Sequence, residues 1–270
     1  EEIEFNPTDG INTFESILLS DEKDILTFNE YLDRLQKTLK KCTCQASWMK
    51  PTLTVHCGNC QKSSNCCICV HCFLKGNHQG HKVFLTHSSN GTCDCGDPIL
   101  WSKSGFCCDH PGPEPNPELT QLDKETRIKL IAISKAAFFY YLDYASFNKQ
   151  SFMNITDWLL KIVSLGDATR RCVCIALRES FEFVDLYVHC LGFEKNEMTK
   201  LLKLLGTLTN DEVFRSYFSL SFLRDFPRFI WINNQIALDN KDTSIPPLSA
   251  ANQLFGFTFH ATTTFTVQKL

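Results

Sequence analysis

The sequence predicts a small, irregular, metal-stabilised domain followed by an all-α helical region. Three observations support this prediction. Twelve of the 15 cysteines fall within residues 42–108. Four prolines occur among the seven residues 111–117, directly after the cysteine-rich block. Beyond residue 121 the composition changes, because 16 of the 22 phenylalanines occur there, many of them in segments with a helical period.

Residues 1–41 are predicted to form an N-terminal helical segment. Apolar residues in its second half recur at helical spacing, and Asp21 or Asp24 stands where a helix N-cap is expected. The apolar positions are Ile25, Phe28, Leu32, Leu35 and Leu39. We therefore expect one helix that leads into the cysteine-rich block.

Residues 42–112 are predicted to form a domain that folds around metal. No helical or strand period is present, and Gly, Asn and Ser separate the cysteines. Such a segment cannot bury enough apolar surface to fold unaided, so bound metal is expected to stabilise it. A disulfide framework is the alternative. The odd number of cysteines and the histidine pair at short spacing favour reduced, metal-bound thiols.

Four ligand pairs with a spacing of two residues point to zinc. Such a pair can bind one ion from a single tight turn, and structural zinc takes four N or S ligands in a tetrahedron. The candidate ligands are Cys57 and Cys60, Cys69 and Cys72, His78 and His81, Cys107 and His110, together with Cys93, Cys95 and Cys44. These are eleven residues, whereas three closed sites need twelve ligands. Either one thiolate bridges two ions, or Cys42, Cys66, Cys67 or Cys108 joins the ligands.

Other chemistries fit less well. Catalytic zinc needs an open coordination position and a general base, and no His-Glu-x-x-His motif occurs. Oxygen ligands are too scarce for calcium or magnesium. In a RING domain one central His is flanked by Cys pairs, whereas here a His pair ends a segment. A net charge of -3 gives no reason to expect nucleic acid, and no apolar stretch reaches the ~20 residues that a membrane span needs.

Residues 113–120 are predicted to be a stiff proline-rich linker, and residues 121–270 an α-helical region that is truncated at its C-terminus. Asn210 is the candidate N-cap of the last clear helix, and Pro227 is expected to end it. Phe257 and Phe259 alternate with polar residues as in a strand. The helices are expected at 124–144, 154–165, 168–181, 195–205 and 211–224. The cysteines at 172, 174 and 190 and the histidines at 189 and 260 are expected to be ordinary core residues.

The ligand order resembles that of a known family. Cys44-x12-Cys57-x2-Cys60, Cys69-x2-Cys72, His78-x2-His81, Cys93-Asp94-Cys95-Gly96-Asp97 and Cys107-x2-His110 resemble the UBR box of the N-recognin ubiquitin ligases. Residues 201–222 are similar to the helical region downstream of that box.

The resemblance implies a UBR-box fold with three zinc ions. One ion would be bound by Cys57, Cys60, His78 and His81. A second would be bound by Cys44, Cys69, Cys72 and Cys95, and a third by Cys72, Cys93, Cys107 and His110. Cys72 would then bridge two ions, which accounts for a set of eleven ligands.

The Cys93–Asp97 segment also suggests what the domain binds. Zinc-bound thiolates would fix the backbone on both sides of Asp94, and Gly96 permits a tight turn that places Asp97 nearby. Two such carboxylates attract a cation, and a free peptide N-terminus is one. The alternative is that both aspartates only cap turns and orient the ligand backbone.

The resemblance implies that Asp94 and Asp97 lie in an acidic groove that receives basic N-terminal residues. A third acidic position of the family is Ser63 in this chain, and a threonine position is Asn65. Together with Thr92 these residues form the predicted substrate-binding set, and Ser63 removes one negative charge from it.

The function that follows from the resemblance is substrate recognition for an E3 ubiquitin ligase of the N-degron pathway. The chain would bind free, basic-type N-termini and would be cytoplasmic and/or nuclear, with no nucleic-acid or membrane partner. No residue is predicted to be catalytic, because a RING-type region and the contacts with a ubiquitin-conjugating enzyme would lie outside this chain. The alternative, which Ser63 motivates, is a structural or protein-docking zinc module without N-degron recognition.

Overall fold

The computed structural model describes residues 7–20, 24, 27–44, 46–48, 50–89, 91–145, 149–180, 193–239 and 256. Its buried residues form two separate clusters, one rich in cysteine and one of helical apolar side chains. No helix in these ranges is long and apolar enough to cross a membrane. The strand predicted around Phe257, and the residues His189, Cys190 and His260, lie outside the described ranges.

The N-terminal segment contains two helices, α1 (Pro7–Leu19) and α2 (Phe28–Thr38), where one was predicted. Thr27, not Asp24, caps α2, and Asp21 lies outside the described residues. The Thr27 hydroxyl accepts from the backbone N–H of Glu30, while the Glu30 carboxylate accepts from the backbone N–H of Thr27. This reciprocal capping box satisfies two backbone donors that would otherwise be unpaired.

Both N-terminal helices pack on the later helices. The ring of Phe14 lies 5.7 Å from the ring of Trp158, and Phe28 stacks on the same indole at 6.1 Å. Leu18, Phe28, Tyr31, Leu32 and Leu39 all belong to the helical core. Residues on both sides of the cysteine-rich block therefore share one hydrophobic core.

The cysteine-rich block contains short antiparallel strands and one helical segment. β2 (Thr52–Cys57) is the central strand of a three-stranded sheet, between β3 (Ile68–Cys69) and β4 (Val83–Ser88). β1 (Ser47–Trp48) pairs with β5 (Gly91–Thr92), and α3 (Val70–Lys75) follows β3. The expectation of a block without strand or helix was wrong. The strands have only two to six residues, and cysteine and threonine hold several of their buried positions, so no alternating apolar pattern is visible.

The helical region is built from α4 (Pro117–Gln121), α5 (Lys124–Ala145), α6 (Lys149–Val163), α7 (Asp167–Ser180), α8 (Lys195–Leu208) and α9 (Glu212–Asp239). α5 packs against α7, and α6 packs against α8. Their facing apolar residues, including Leu159, Ile162 and Leu208, are fully buried.

α9 differs from the prediction at both ends. Asp211, not Asn210, caps it by accepting from the backbone N–H of Phe214 at 3.0 Å. The helix continues through Pro227 to Asp239, where it was expected to stop. A proline inside a helix costs about 3 kcal/mol. Apolar packing offsets that cost, because the buried Phe229 ring stacks on Phe222 at 5.5 Å.

Buried charged residues join the cysteine-rich block to the helices. The Asp167 carboxylate at the start of α7 accepts from the backbone N–H of Cys42 at 2.8 Å and pairs with Arg170. Arg171 pairs with Asp211 and donates to the carbonyl oxygen of Pro115 at 3.1 Å. The proline-rich segment is thus held from the helical side by a direct hydrogen bond.

Candidate functional site

The first cluster of metal-binding side chains contains Cys57, Cys60, His78 and His81. Cys57 ends β2, and the chain turns at once, because the backbone N–H of Cys60 donates to the Cys57 carbonyl oxygen at 3.0 Å. His78 and His81 are joined by a similar turn at 3.1 Å. Both imidazoles direct Nδ1 toward the cysteines, at Sγ···Nδ1 distances of 3.4–3.7 Å.

Two further clusters share one cysteine. Cys44, Cys69, Cys72 and Cys93 form one, and Cys72, Cys95, Cys107 and His110 form the other. The structure therefore brings all eleven predicted ligands into three groups of four, with Cys72 common to two.

The expected placement of Cys93 and Cys95 was wrong, because the two residues are exchanged between these clusters. The backbone N–H of Cys69 donates to Cys93 Sγ at 3.2 Å, whereas the backbone N–H of Cys107 donates to Cys95 Sγ at 3.3 Å. Each sulfur is thus directed toward the chain segment that supplies the other ligands of its own cluster.

The spacing of the donor atoms fits zinc. Zinc–sulfur bonds of about 2.3 Å and zinc–nitrogen bonds of about 2.0–2.1 Å give tetrahedral S···N edges of about 3.6 Å. The Cys72 Sγ···His110 Nδ1 distance is 3.3 Å, and the donor atoms of each cluster all lie within 4.8 Å of one another. Sulfur and imidazole ligands at this spacing select zinc over the hard cations.

Asp94 lies between the two clusters that share Cys72. Its backbone N–H donates to the Cys67 carbonyl oxygen at 3.0 Å, and its Oδ2 accepts from the backbone N–H of Cys67 at 2.7 Å. Burial raises the pKa of the Asp94 carboxyl to about 8, against the opposing effect of the Cys67 hydrogen bond. A carboxylate in this position gains from a cationic partner.

The loop that precedes Cys67 contains two other predicted substrate residues. Ser63 accepts from the backbone N–H of Cys66 through its carbonyl oxygen at 3.1 Å, and its hydroxyl oxygen accepts from the backbone N–H of Asn65 at 3.4 Å. Thr92 is half-buried in β5 opposite Ser47. The Cys67–Asp94 bonds bring this loop close to Asp94.

Asp97 follows a turn that requires glycine. Gly96 has a φ of 91°, and a Cβ there would lie 2.5 Å from the carbonyl oxygen of Cys42. Asp97 Oδ1 accepts from the backbone N–H of Ile99 at 2.8 Å, and Oδ2 accepts from Arg215 Nη1 of α9 at 2.7 Å. One predicted substrate carboxylate is therefore already paired with a guanidinium from the helical region.

Comparison with known proteins identifies the cysteine-rich block. Residues 43–110 match the family described as a putative zinc finger in N-recognin (UBR box). The chain carries a UBR box. The chain is 31% identical over 106 residues to the E3 ubiquitin-protein ligase PRT6 of Arabidopsis thaliana, covering 39% of this chain and 5% of that protein.

Two other relatives are also named E3 ubiquitin-protein ligases. The E3 ubiquitin-protein ligase Ubr3 of Drosophila melanogaster is 39% identical over 69 residues, or 25% of this chain and 3% of that protein. The E3 ubiquitin-protein ligase UBR1 of Saccharomyces cerevisiae is 35% identical over 54 residues, or 19% of this chain and 3% of that protein. The chain thus matches only 3–5% of the length of these relatives. Together with its Cys and His clusters, the UBR box establishes that this chain binds zinc.

Four cysteines of the UBR-box region stand outside the three clusters that the described residues form. Cys42, Cys66 and Cys67 are buried, and Cys108 is exposed. Burial raises the pKa of the Cys67 thiol to about 12, and the negative charge of Asp94 adds to the effect. Burial beside Asp94 therefore disfavours the thiolate form of Cys67.

The sequence analysis missed Arg215 as a neighbour of the UBR box. A signal was present, because Arg215 lies three and seven residues before Phe218 and Phe222, on the apolar side of its helix. A charged residue on an apolar face predicts a buried counter-ion. The pattern could not name Asp97 as that counter-ion, since the two are 118 residues apart.

Proposed function

We propose that this chain is the substrate-recognition region of an E3 ubiquitin ligase of the N-degron pathway, and that its UBR box binds the free N-terminus of a target protein. The matched relatives, all named E3 ubiquitin-protein ligases, support the ligase assignment. A ubiquitin-conjugating enzyme would bind regions outside this chain. A cytoplasmic and/or nuclear location belongs to the same proposal, because reducing compartments preserve thiolate ligands.

The position of Asp94 is the observation that supports N-terminus binding. Its neighbours Cys93 and Cys95 belong to two metal clusters, so its backbone is fixed on both sides. Oδ2 accepts from the backbone N–H of Cys67, and Oδ1 accepts no hydrogen bond among the described residues. An α-amino group that donated to Oδ1 would form a charge-assisted hydrogen bond.

The other predicted residues would form the polar edge of the groove. Ser63, Asn65 and Thr92 carry no charge, so they can orient a bound peptide without attracting a basic side chain. Asp97 could attract one, but it is paired with Arg215. The proposal therefore rests on the free amino group, and the basic first residue expected from the sequence stays a prediction.

Peptide binding tests this proposal. We expect peptides with a free N-terminus to bind the zinc-loaded chain and N-acetylated peptides of the same sequence to lose binding. Asp94→Asn keeps the acceptor oxygen for Cys67 but removes the charge, and it should weaken binding at least ~10-fold, about 1.4 kcal/mol.

Asp109→Asn is the matched control. Asp109 is an exposed carboxylate of the same domain, paired with Lys75 at 2.6 Å, and its substitution should leave peptide affinity unchanged. Equal affinities for the free and acetylated peptides would contradict the proposal.

We also propose that the UBR box holds three zinc ions, with Cys72 bridging two of them. Membership of Cys72 in two clusters supports this count. Elemental analysis should find three zincs per chain. Cys72→Ser should reduce that number by up to two, whereas Cys66→Ser, a buried cysteine outside the clusters, should leave it at three. A value of two in the unmodified chain would rule out the assignment.

A structural or protein-docking module is the second candidate function. The Asp97–Arg215 pair and Ser63 favour it, because each reduces the negative charge available to a ligand. In the peptide titration this candidate predicts that affinity depends neither on the first residue nor on its amino group.

A further inference from the structure

We infer that Arg215 is the specificity-determining residue of this UBR box, and that it makes the groove select free N-termini whose first side chain is uncharged. The inference rests on the proposed binding of free N-termini, and it goes beyond it by naming the substrate class and the residue that selects it.

The geometry places a cation from α9 on Asp97, one of the two carboxylates of the predicted substrate-binding set. Arg215 Nη1 donates to Asp97 Oδ2 at 2.7 Å, and each residue is only 8% exposed. Asp97 Oδ1 is also engaged, by the backbone N–H of Ile99. Both oxygens of Asp97 are thus in use, and the negative charge that a basic first residue would need already has a partner.

The contacts of this guanidinium are incomplete. Arg215 Nε is buried and has no hydrogen-bond partner among the described residues. Arg171, at the same junction, uses two of its nitrogens, one on Asp211 and one on the Pro115 carbonyl oxygen. A buried donor without an acceptor is costly, so among the described residues the ion pair with Asp97 is the contact that offsets the burial of this guanidinium.

The charges around Asp94 and Asp97 fit an uncharged first side chain. Asp97 and Arg215 neutralise each other, and Ser63 carries no charge. Asp94 is therefore the carboxyl group of the predicted substrate-binding set that has no cationic side-chain partner among the described residues. An α-amino group brings one positive charge to Asp94, whereas a basic first residue brings a second positive charge that would face the Arg215 guanidinium.

Displacement of Arg215 from Asp97 would not remove this excess positive charge. Its guanidinium would lose the only acceptor that it has among the described residues, and an uncompensated buried charge is strongly destabilising. A competing basic side chain would therefore exchange one cation for another on Asp97 without a net gain in ion pairs.

A titration of the full zinc-loaded chain with two peptides tests the inference. The peptides differ only in their first residue, Met or Arg, and each is also prepared with an acetylated N-terminus. We expect the unmodified chain to bind the free Met peptide about 10-fold more tightly than the free Arg peptide. Arg215→Met leaves Asp97 as a second carboxylate without a cationic partner and should increase affinity for the Arg peptide at least ~10-fold.

Two variants separate charge selection from loss of packing. Arg215→Met combined with Asp97→Asn removes both charges of the pair, so no buried carboxylate is left unpaired, and it should abolish the gain for the Arg peptide. Arg171→Met removes another buried arginine of the junction and should leave the ratio of the two affinities unchanged. Circular dichroism and zinc content verify that each variant is folded.

The outcomes distinguish the inference from the function on which it rests. If free peptides bind and acetylated ones do not, but the unmodified chain prefers Arg, the inference fails and the proposed function survives. The same conclusion follows if Arg215→Met leaves the ratio of the affinities for the Met and Arg peptides unchanged. If acetylation has no effect on any variant, the proposed function fails as well. The comparison in the unmodified chain requires no variant to fold.

Discussion

The UBR box and the helical region are stabilised by different interactions. Most buried residues of the UBR-box core are cysteines, and the others are Trp48, Val55, Ile68 and Trp101. The helical core consists largely of Leu, Ile, Phe and Val. The first region obtains its fold mainly from metal ligation, which contributes free energy only when its ligands converge. The second obtains it from burial of apolar surface, at roughly 25 cal/mol per Å².

The two regions also differ in which parts of the sequence form them. The helical core takes residues from before and after the UBR box, including Leu18, Phe28 and Leu39 from the N-terminal helices. The UBR box is therefore an insertion between two parts of one helical core. Asp167 ties the base of this insertion to α7 through the backbone N–H of Cys42.

Removal of zinc should have the largest effect on stability, and it should unfold one region while the other stays folded. Structural zinc contributes roughly 10–16 kcal/mol of apparent free energy in zinc-finger peptides, so a chelator is expected to unfold residues 42–110 and to leave the helices from residue 121 onward folded. Hydrogen exchange resolved by peptide should show rapid exchange in 42–110 and continued protection in 149–180. Loss of protection in both segments would show that the helical core depends on the metal.

A cavity in the helical core should destabilise the helical region and leave the zinc sites intact. Phe152 is 1% exposed and lies against Phe193 at a ring distance of 4.3 Å. Phe152→Ala is expected to lower the free energy of unfolding by about 3–5 kcal/mol, with zinc content unchanged. Denaturant unfolding measures the first quantity and elemental analysis the second.

Phe139→Ala provides the control for this cavity. Phe139 is 56% exposed on α5, and its removal should change stability by about 0.5 kcal/mol or less. Equal losses for the two variants would refute the assignment of Phe152 to the core.

A substitution at the junction between the UBR box and α7 should have the smallest effect on stability. Asp167→Asn removes the buried carboxylate charge that pairs with Arg170, and we expect a loss of about 3 kcal/mol. Exchange should increase at residues 42–44 and 167–171, where the two regions meet. Asp157→Asn, which removes an exposed pair with Lys200, should cost about 1 kcal/mol or less. An unchanged exchange rate at residues 42–44 would mean that Asp167 does not couple the regions.

The candidate metal ligands could be selected from the sequence because their spacing is local. Two ligands three positions apart must lie close together in any tight turn, so Cys57 with Cys60, or His78 with His81, needs no knowledge of the fold. The partition of Cys93 and Cys95 was wrong because it depends on which segments lie on either side of them. The strands of the UBR box were missed since Cys57 and Thr54 replace the usual apolar residues at buried positions.

The helices of the second region were predicted from their apolar period, and the errors occurred at their ends. Pro227 was expected to stop α9, because a local rule cannot weigh the burial of Phe229 beyond it. Thr27 was not chosen as the cap of α2, although Thr27 and Glu30 have the capping-box spacing that marks a helix start in a sequence.

The sequence by itself determined that this chain has a metal-dependent domain, which residues are its candidate ligands, and that a helical region follows. These properties depend on residue type and short spacing, which the chain carries in any conformation. Only the tertiary structure decided that Asp97 meets Arg215, because the pair joins residues 118 positions apart. The charge around Asp97 is a sum over every segment that folds near it, so the proposed selection of the first side chain would depend on a helix that no local motif connects with the UBR box.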